Sequence, residues 1–321
     1  MKKLIIYLFF IILLIFLLPI IFTNNIEEVG VEQSEERPYD YGSLSTIKLL
    51  HTEAKNIEEL GLDEYLYGVL SAEIPATYDE EALKAQAIVA RTYTIYQVKT
   101  RDNHENADIC DSFLCCQAWM SKENRFARWE DGKENEYWYK ILDAVNSTKG
   151  KYITYLDEPI NALFHSNSGG MTEIPINVWG GEYPYFQVVE TSGEDIYSSY
   201  KSEVEISKDE IIQKMIEKYS GFKINFSAPD CIKILELNES NRVKKIQIGN
   251  TVVSGVEARN IFGLKSANFK TEISNNTIKF SVIGYGHGVG LSQSGSDALA
   301  KSGMNCSEII KHYYKNVEIS E

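Results

Sequence analysis

Asp63-Glu64-Tyr65-Leu66-Tyr67-Gly68-Val69-Leu70-Ser71-Ala72-Glu73-Ile74-Pro75 spaces its apolar residues along one helical face. Leu66, Val69 and Leu70 mark that face, and Glu73 follows them at i+7, i+4 and i+3, so its carboxylate points with the apolar side chains. Pro75 disfavours the α region for Ile74 and predicts a helix end at about Glu73, beside unpaired carbonyls at the negative end of the helix dipole. Burial and the dipole both disfavour ionisation, and a raised pKa is what a general acid needs near neutral pH. The same pattern also suits a glutamate at a frayed helix end held by a nearby Arg or Lys.

Downstream, Thr77-Tyr78-Asp79-Glu80 has capping-box spacing and predicts a long helix from Glu81 to Tyr93. Capping and the dipole account for Glu80 and Glu81, which leaves Glu73 as the acid without a structural duty. That second helix also carries Lys84, Gln86 and Arg91. A β-hairpin is predicted over Lys151–Phe164, turning at Asp157-Glu158-Pro159 and delivering His165-Ser166-Asn167-Ser168-Gly169-Gly170 at its end. Strands are predicted at Cys231–Leu237, Val243–Ile248 and Thr277–Ile283, and helices at Lys208–Tyr219, Val256–Phe262, Ser296–Lys301 and Asn305–Tyr314. Strands outnumber crossover-length helices, so the fold expected is α+β, a single large mixed domain with mainly antiparallel sheet.

Upstream, Lys2 and Lys3 precede an uncharged apolar run from Leu4 to Phe22. At ~1.5 Å per residue that run can cross a bilayer core of ~30 Å. No small-x-small pattern follows it, so an uncleaved anchor over 1–22 is expected rather than a signal peptide, with everything after it outside the cytoplasm. Residues 23–43 are acidic and polar and read as a linker, reaching roughly 70 Å when extended. The peptide from 44 to 321 is then the working domain. A net charge of -14 argues against nucleic acid as a partner.

Gly284-Tyr285-Gly286-His287-Gly288-Val289-Gly290 is not a dinucleotide fingerprint, because the spacing is wrong and no βαβ unit surrounds it. Alternating glycines suit close backbone approach, with His287 presented in the gap. Gly290-Leu291-Ser292-Gln293-Ser294-Gly295 misses the nucleophile elbow by one residue, and nothing places an Asp beside His165 or His287. His104, Cys110 and Cys116 are evenly spaced and can fold around one tetrahedral ion, more in keeping with structural than catalytic zinc. A disulfide from Cys110 to Cys115 or Cys116 competes with that reading. Cys231 and Cys306 read as buried thiols. Trp179-Gly180-Gly181-Glu182-Tyr183-Pro184-Tyr185 concentrates aromatics that suit sugar rings or the packing of the loop itself.

Four motifs, in order and spacing, resemble the stage II sporulation protein D family, related to amidase enhancers. They are Glu73-Ile74-Pro75-Ala76, Glu81 to Ala87 with Ala90-Arg91-Thr92, Ser166 to Thr172, and Gly286 to Gln293, joined by Arg259 to Ser266 and a closing His312-Tyr313-Tyr314. The resemblance implies a membrane-anchored lytic transglycosylase acting on glycan strands of peptidoglycan stripped of stem peptides, with the catalytic glutamate at Glu73 and no cofactor required for catalysis. It implies engulfment during sporulation, from a single-pass position in the mother-cell membrane, alongside a peptidoglycan amidase and a polytopic membrane protein. Lys84 or Arg91 is expected to hold a lactyl carboxylate, and His165, Ser166, Trp179, Tyr185, His287 and Gln293 to line the sugar groove. Ser294 and Ser296 depart from the Tyr and Ala that the family often has there. A non-catalytic module that binds peptidoglycan and activates an amidase is the second expectation, and a zinc-dependent wall hydrolase a third.

Overall fold

The computed structural model describes residues 44–100 and 104–321, so the expected anchor and linker lie outside the described residues. Among the described residues no helix is long and apolar enough to cross a membrane. Strands β1 (Thr46–His51) and β2 (Asn56–Gly61) pair antiparallel and lead directly into α1 (Leu62–Glu73). Ile74 is extended at φ −122, ψ 140, so α1 stops where Pro75 requires.

Helix α2 (Glu80–Thr100) is buried on almost every side, because Ala82, Ala85, Ala87 and Ala90 let neighbours approach from all directions. Helix α2 starts one residue before the expected Glu81 and runs seven residues past the expected Tyr93, but Thr77 is not its cap. The Asp79 carboxylate accepts from the Glu81 amide at 3.0 Å, so Asp79 caps the helix and Thr77 stays exposed. Around α2 pack α1 and β3 (Ile109–Cys110), then, past the short α3 (Lys122–Phe126), α4 (Glu134–Asn146) and β4 (Tyr152–Tyr155). Together these form the first core.

The expected hairpin is only partly realised. Strand β4 turns through Leu156 and Asp157, both at positive φ, into β5 (Glu158–Pro159), but the chain then leaves the sheet. The Leu163 amide bonds back to the Asn161 carbonyl, which breaks the ladder, and β6 (Phe164–His165) pairs elsewhere.

A second core follows, built from two three-stranded antiparallel sheets and two helices. Its elements are β7 (Lys201–Ser207), α5 (Lys208–Lys218), β8 (Ile232–Leu237), β9 (Val243–Ile248), β10 (Thr251–Ser254), α6 (Gly255–Phe262), β11 (Phe269–Ile273) and β12 (Thr277–Ile283). The chain then returns to the first core through β13 (Leu291–Ser292), α7 (Gln293–Lys301), α8 (Cys306–Tyr313) and β14 (Glu318–Ser320), where β13 runs parallel to β6 and β14 antiparallel to β4. The architecture is α+β with mainly antiparallel pairing, as the sequence predicts; the parallel ladders are the two-residue pairs β1–β3 and β6–β13.

Polar side chains from the β8–β9 turn stitch the cores together. Arg242 donates to the carbonyls of Met171 (2.9 Å) and Ser168 (2.8 Å), while Asn238 and Ser240 donate to the buried Glu173 carboxylate at 2.5 and 2.6 Å. Gly288 makes this possible, since its φ is +84 and a Cβ there would run into the Arg242 guanidinium.

Candidate functional site

Glu73 sits half-buried at the last position of α1. Its Oε1 accepts a 2.6 Å hydrogen bond from the Ala118 amide, and the Gln293 side chain is its second partner. Burial pushes its pKa up to about 7, against the lowering pull of these two donors. No lysine or arginine among the described residues acts on it. The carboxyl is therefore poised to give and take a proton near neutrality rather than locked in an ion pair.

Two segments deliver its partners. The first is 117–120, laid along α1. Gln117 is buried and donates to Tyr65 Oη (3.2 Å) and Thr94 Oγ1 (3.0 Å), and the Met120 amide meets the Gly68 carbonyl at 3.4 Å. Gly68 is needed because a Cβ there would strike the Trp119 indole. Beside this segment a groove of about 560 Å³ is lined by Tyr67, Trp119, Met120 and Trp138. The second segment is the start of α7, where Gln293 is the first helical residue and Ser292 the cap.

Ser292 is not a nucleophile. Its Oγ donates to Glu194, a fully buried carboxylate that also accepts from the amides of Ser168 (3.0 Å) and Gly170 (2.9 Å) and from Thr191 Oγ1 (2.7 Å). Glu194 thus gathers the Ser166–Gly170 loop and the start of α7 around one charge. Ser166 itself is half-buried, and its carbonyl accepts from the Ser294 amide at 3.0 Å. Ser294 in turn lies 3.3 Å from Tyr78 Oη, close to Gln293.

Several expected ligand contacts have structural roles instead. Arg91 is 1% exposed and bonded to Asp63 and to the carbonyls of Val145, Thr148 and Lys151, so a core guanidinium stands where a ligand contact was expected. Lys84 is bound to Glu80 (2.8 Å) and Glu81 (3.0 Å). Tyr185 is 6% exposed, takes the Asn161 amide on its hydroxyl and packs on Tyr155, Tyr183 and Phe186.

The two histidines form a pair, their rings 5.6 Å apart, bridged by one residue. His165 Nδ1 donates to the Val289 carbonyl at 3.1 Å, and the Val289 amide donates to His287 Nδ1 at 3.0 Å. His287 is further bonded to the main chain at Phe164. Burial pulls His165 down to about 3 and His287 well below its ordinary value, with the nearby arginines adding to both, so each ring is neutral. Trp179 meets His287 in a T-shaped contact at 5.2 Å and stays 50% exposed, which makes it the surface member of this stack.

His104, Cys110 and Cys116 come together, with Cys115 as a fourth donor that spacing did not single out. All four ligand atoms lie within 4.8 Å of one another, and the thiols are free. One nitrogen and three sulfurs at such separations fit a tetrahedral zinc. The cluster lies immediately before Gln117 and Ala118, and so beside the segment that holds Glu73.

The profile of the Stage II sporulation protein family matches residues 51–155, a span holding both Glu73 and the thiol cluster. Stage II sporulation protein D of Bacillus subtilis (strain 168) is 34% identical over 278 residues, covering 86% of this chain and 79% of that protein. The chain belongs to the stage II sporulation protein D family. The protein of the same name from Bacillus amyloliquefaciens is 31% identical, again over 86% of this chain and 79% of the relative. A more distant family relation is an amidase enhancer of Bacillus subtilis (strain 168), 24% identical over 79% of this chain and 40% of its own length. No signal in the sequence pointed to Ala118, Gln117 or Glu194, because each acts through contacts distant along the chain.

Proposed function

We propose that this chain is a membrane-anchored lytic transglycosylase that cuts the glycan strands of denuded peptidoglycan, working in engulfment during sporulation. The observation that carries the reading is the environment of Glu73: a partly buried carboxyl of raised pKa, held by two neutral donors and no cation. A hydrolase of the usual kind needs two carboxyl groups, one to handle water or a covalent intermediate on the second face of the sugar. A transglycosylase needs one. Protonated Glu73 gives its proton to the glycosidic oxygen as that bond breaks. The muramic acid's own C6 hydroxyl then attacks C1, and the Glu73 carboxylate takes the hydroxyl proton. A 1,6-anhydro ring forms, the acid is regenerated, and no water is consumed. Intramolecular attack supplies the proximity, so one group serves both steps.

The Ala118 amide and Gln293 stabilise the carboxylate between the two transfers. Zinc bound by His104, Cys110, Cys115 and Cys116 would have a structural role, fixing the loop that ends at Ala118, and catalysis would need no cofactor. The anchor over 1–22 would face the domain outward, toward the wall between mother cell and forespore, with an amidase and a polytopic membrane protein as partners. The test is digestion of denuded glycan by the full-length chain, with products read by mass spectrometry. Anhydromuramic ends that disappear with Glu73→Gln support the enzyme.

The likeness to an amidase enhancer favours a second reading, a peptidoglycan-binding module that activates a partner amidase. Intact strands retained by the chain, with amidase activity raised in its presence, would favour that module.

A further inference from the structure

The crevice between the two cores, beside Trp179, is lined by Glu173, Asn177, Asn238, Arg242, Arg259 and His287. Its free space is about that of one water-sized group, so it admits an oxygen of an acid arm and not a sugar ring. Two guanidinium groups meet here; the carboxylates that act on Arg242, Glu173 and Glu194, are already committed to other donors, and neither acts on Arg259. Glu173 accepts from the Ile174 amide (2.9 Å), Asn177 (2.8 Å), Asn238 (2.5 Å) and Ser240 (2.6 Å). Arg242, 2% exposed, spends its two terminal nitrogens on carbonyls and leaves Nε buried without a partner. Arg259, on α6, bonds through Nε to the Leu264 carbonyl at 3.3 Å, and among the described residues no carboxylate pairs with it. His165 and His287 are both neutral, so they add no negative charge and no competing cation. A half-buried guanidinium without a counter-charge is costly unless an anion completes it.

The geometry points to this crevice as the binding site for the lactyl carboxylate of a muramic acid residue, with Arg259 as the principal partner and Trp179 against the sugar ring. The assignment rests on the proposed action on denuded glycan, and it replaces Lys84 and Arg91, whose charges are spent elsewhere. An exposed indole edge beside a cationic slot suits a ring that carries an acid side arm. Neutral rings of the same strand have the aromatic contact but nothing for the slot, so the crevice would distinguish the two sugars of the repeat.

Full-length Glu73→Gln protein, which cannot cleave, is titrated with N-acetylmuramic acid and with N-acetylglucosamine while tryptophan fluorescence is followed. Binding of the muramic probe tighter than the glucosamine probe by about tenfold or more, lost in Arg259→Gln and partly restored in Arg259→Lys, supports the assignment. Equal binding of the two sugars, or a muramic affinity unchanged by Arg259→Gln with circular dichroism unaltered, overturns it. Inorganic phosphate bound through Arg259 more tightly than the muramic probe also overturns it, in favour of a phosphate-bearing polymer. Because no bond is cut, the result is independent of the transglycosylase reading: anhydromuramic ends from the wild type together with a failed titration would sink the crevice alone.

Discussion

The Ala118 amide donates to Glu73 Oε1 at 2.6 Å, across 45 residues of sequence. That bond joins the two chemically distinctive parts of the chain, because Ala118 follows Cys116 by two positions. Whatever orders the cysteine loop also sets the hydrogen bond on the acid.

Replacing Glu73 with Gln keeps the Ala118 contact but removes the transferable proton. The expected loss of anhydromuramic product is about 10²–10⁴-fold, without loss of strand binding. Mass spectrometry of digests, paired with a glycan pull-down, checks both halves.

The pH dependence follows from the raised pKa. In the proposed mechanism the protonated form starts the reaction, so turnover should fall as pH rises through about 7, by about tenfold per unit once well above it. The stability effect has a definite sign. Between 4.5 and about 7 the folded chain keeps a proton that the unfolded chain has released, so this group's contribution is intact below 4.5 and lost as pH climbs through 7. Glu73→Gln should therefore be more stable than the wild type by about 1–3 kcal/mol at pH 8 and nearly equal to it at pH 4. Urea unfolding at the two pH values measures the difference.

Removing Cys116 or stripping metal with a chelator should loosen segment 117–120 and weaken the hold on Glu73. The expected outcome is about one zinc per chain in the wild type by metal analysis, none in Cys116→Ser, and a thermal midpoint lower by several degrees. Cys115→Ser should retain more metal than Cys116→Ser, since Cys115 is exposed and Cys116 is partly enclosed.

Gly68→Ala tests the route from α1 to Ala118 without touching either partner. The added methyl displaces Trp119, which should cost about 1–3 kcal/mol by crowding and lower turnover more than binding. A variant that turns over normally with its indole shifted would remove segment 117–120 from the account of catalysis.

Glu194→Gln keeps the shape but takes charge away from a carboxylate that five donors address: two amides and the hydroxyls of Ser168, Thr191 and Ser292. The amide group cannot accept all of them, so a loss of about 2–4 kcal/mol is expected in denaturant unfolding.

Helix α1, its stop at Pro75, the Asn305–Glu308 capping box and the strands β8, β9 and β12 were legible because local patterning alone dictates them, whereas β7, β10 and β11 were not singled out. The placement of Glu73 at the buried end of α1 was legible for the same reason, since its facing depends only on helical spacing. Other features depend on distant partners. Thr77 offered the sequence signal for a cap, yet the turn that bonds the Tyr78 amide to Pro75 hands that task to Asp79. Ile160–Leu163 has strand composition but leaves the ladder so that Phe164 and His165 can reach β13, a pairing set across more than 100 residues. Arg91 and Tyr185 carry groups that suit a ligand, and only the packed core reveals that their polar ends are satisfied internally.

The Arg242 anchor also ties the two cores mechanically. Swinging the second core away would strip a guanidinium of both carbonyl partners and leave Glu173 without its Asn238 and Ser240 donors, a penalty of several hydrogen bonds at once. The halves are therefore tied into one frame, and under the proposed reading a glycan strand would have to enter without a hinge opening between them.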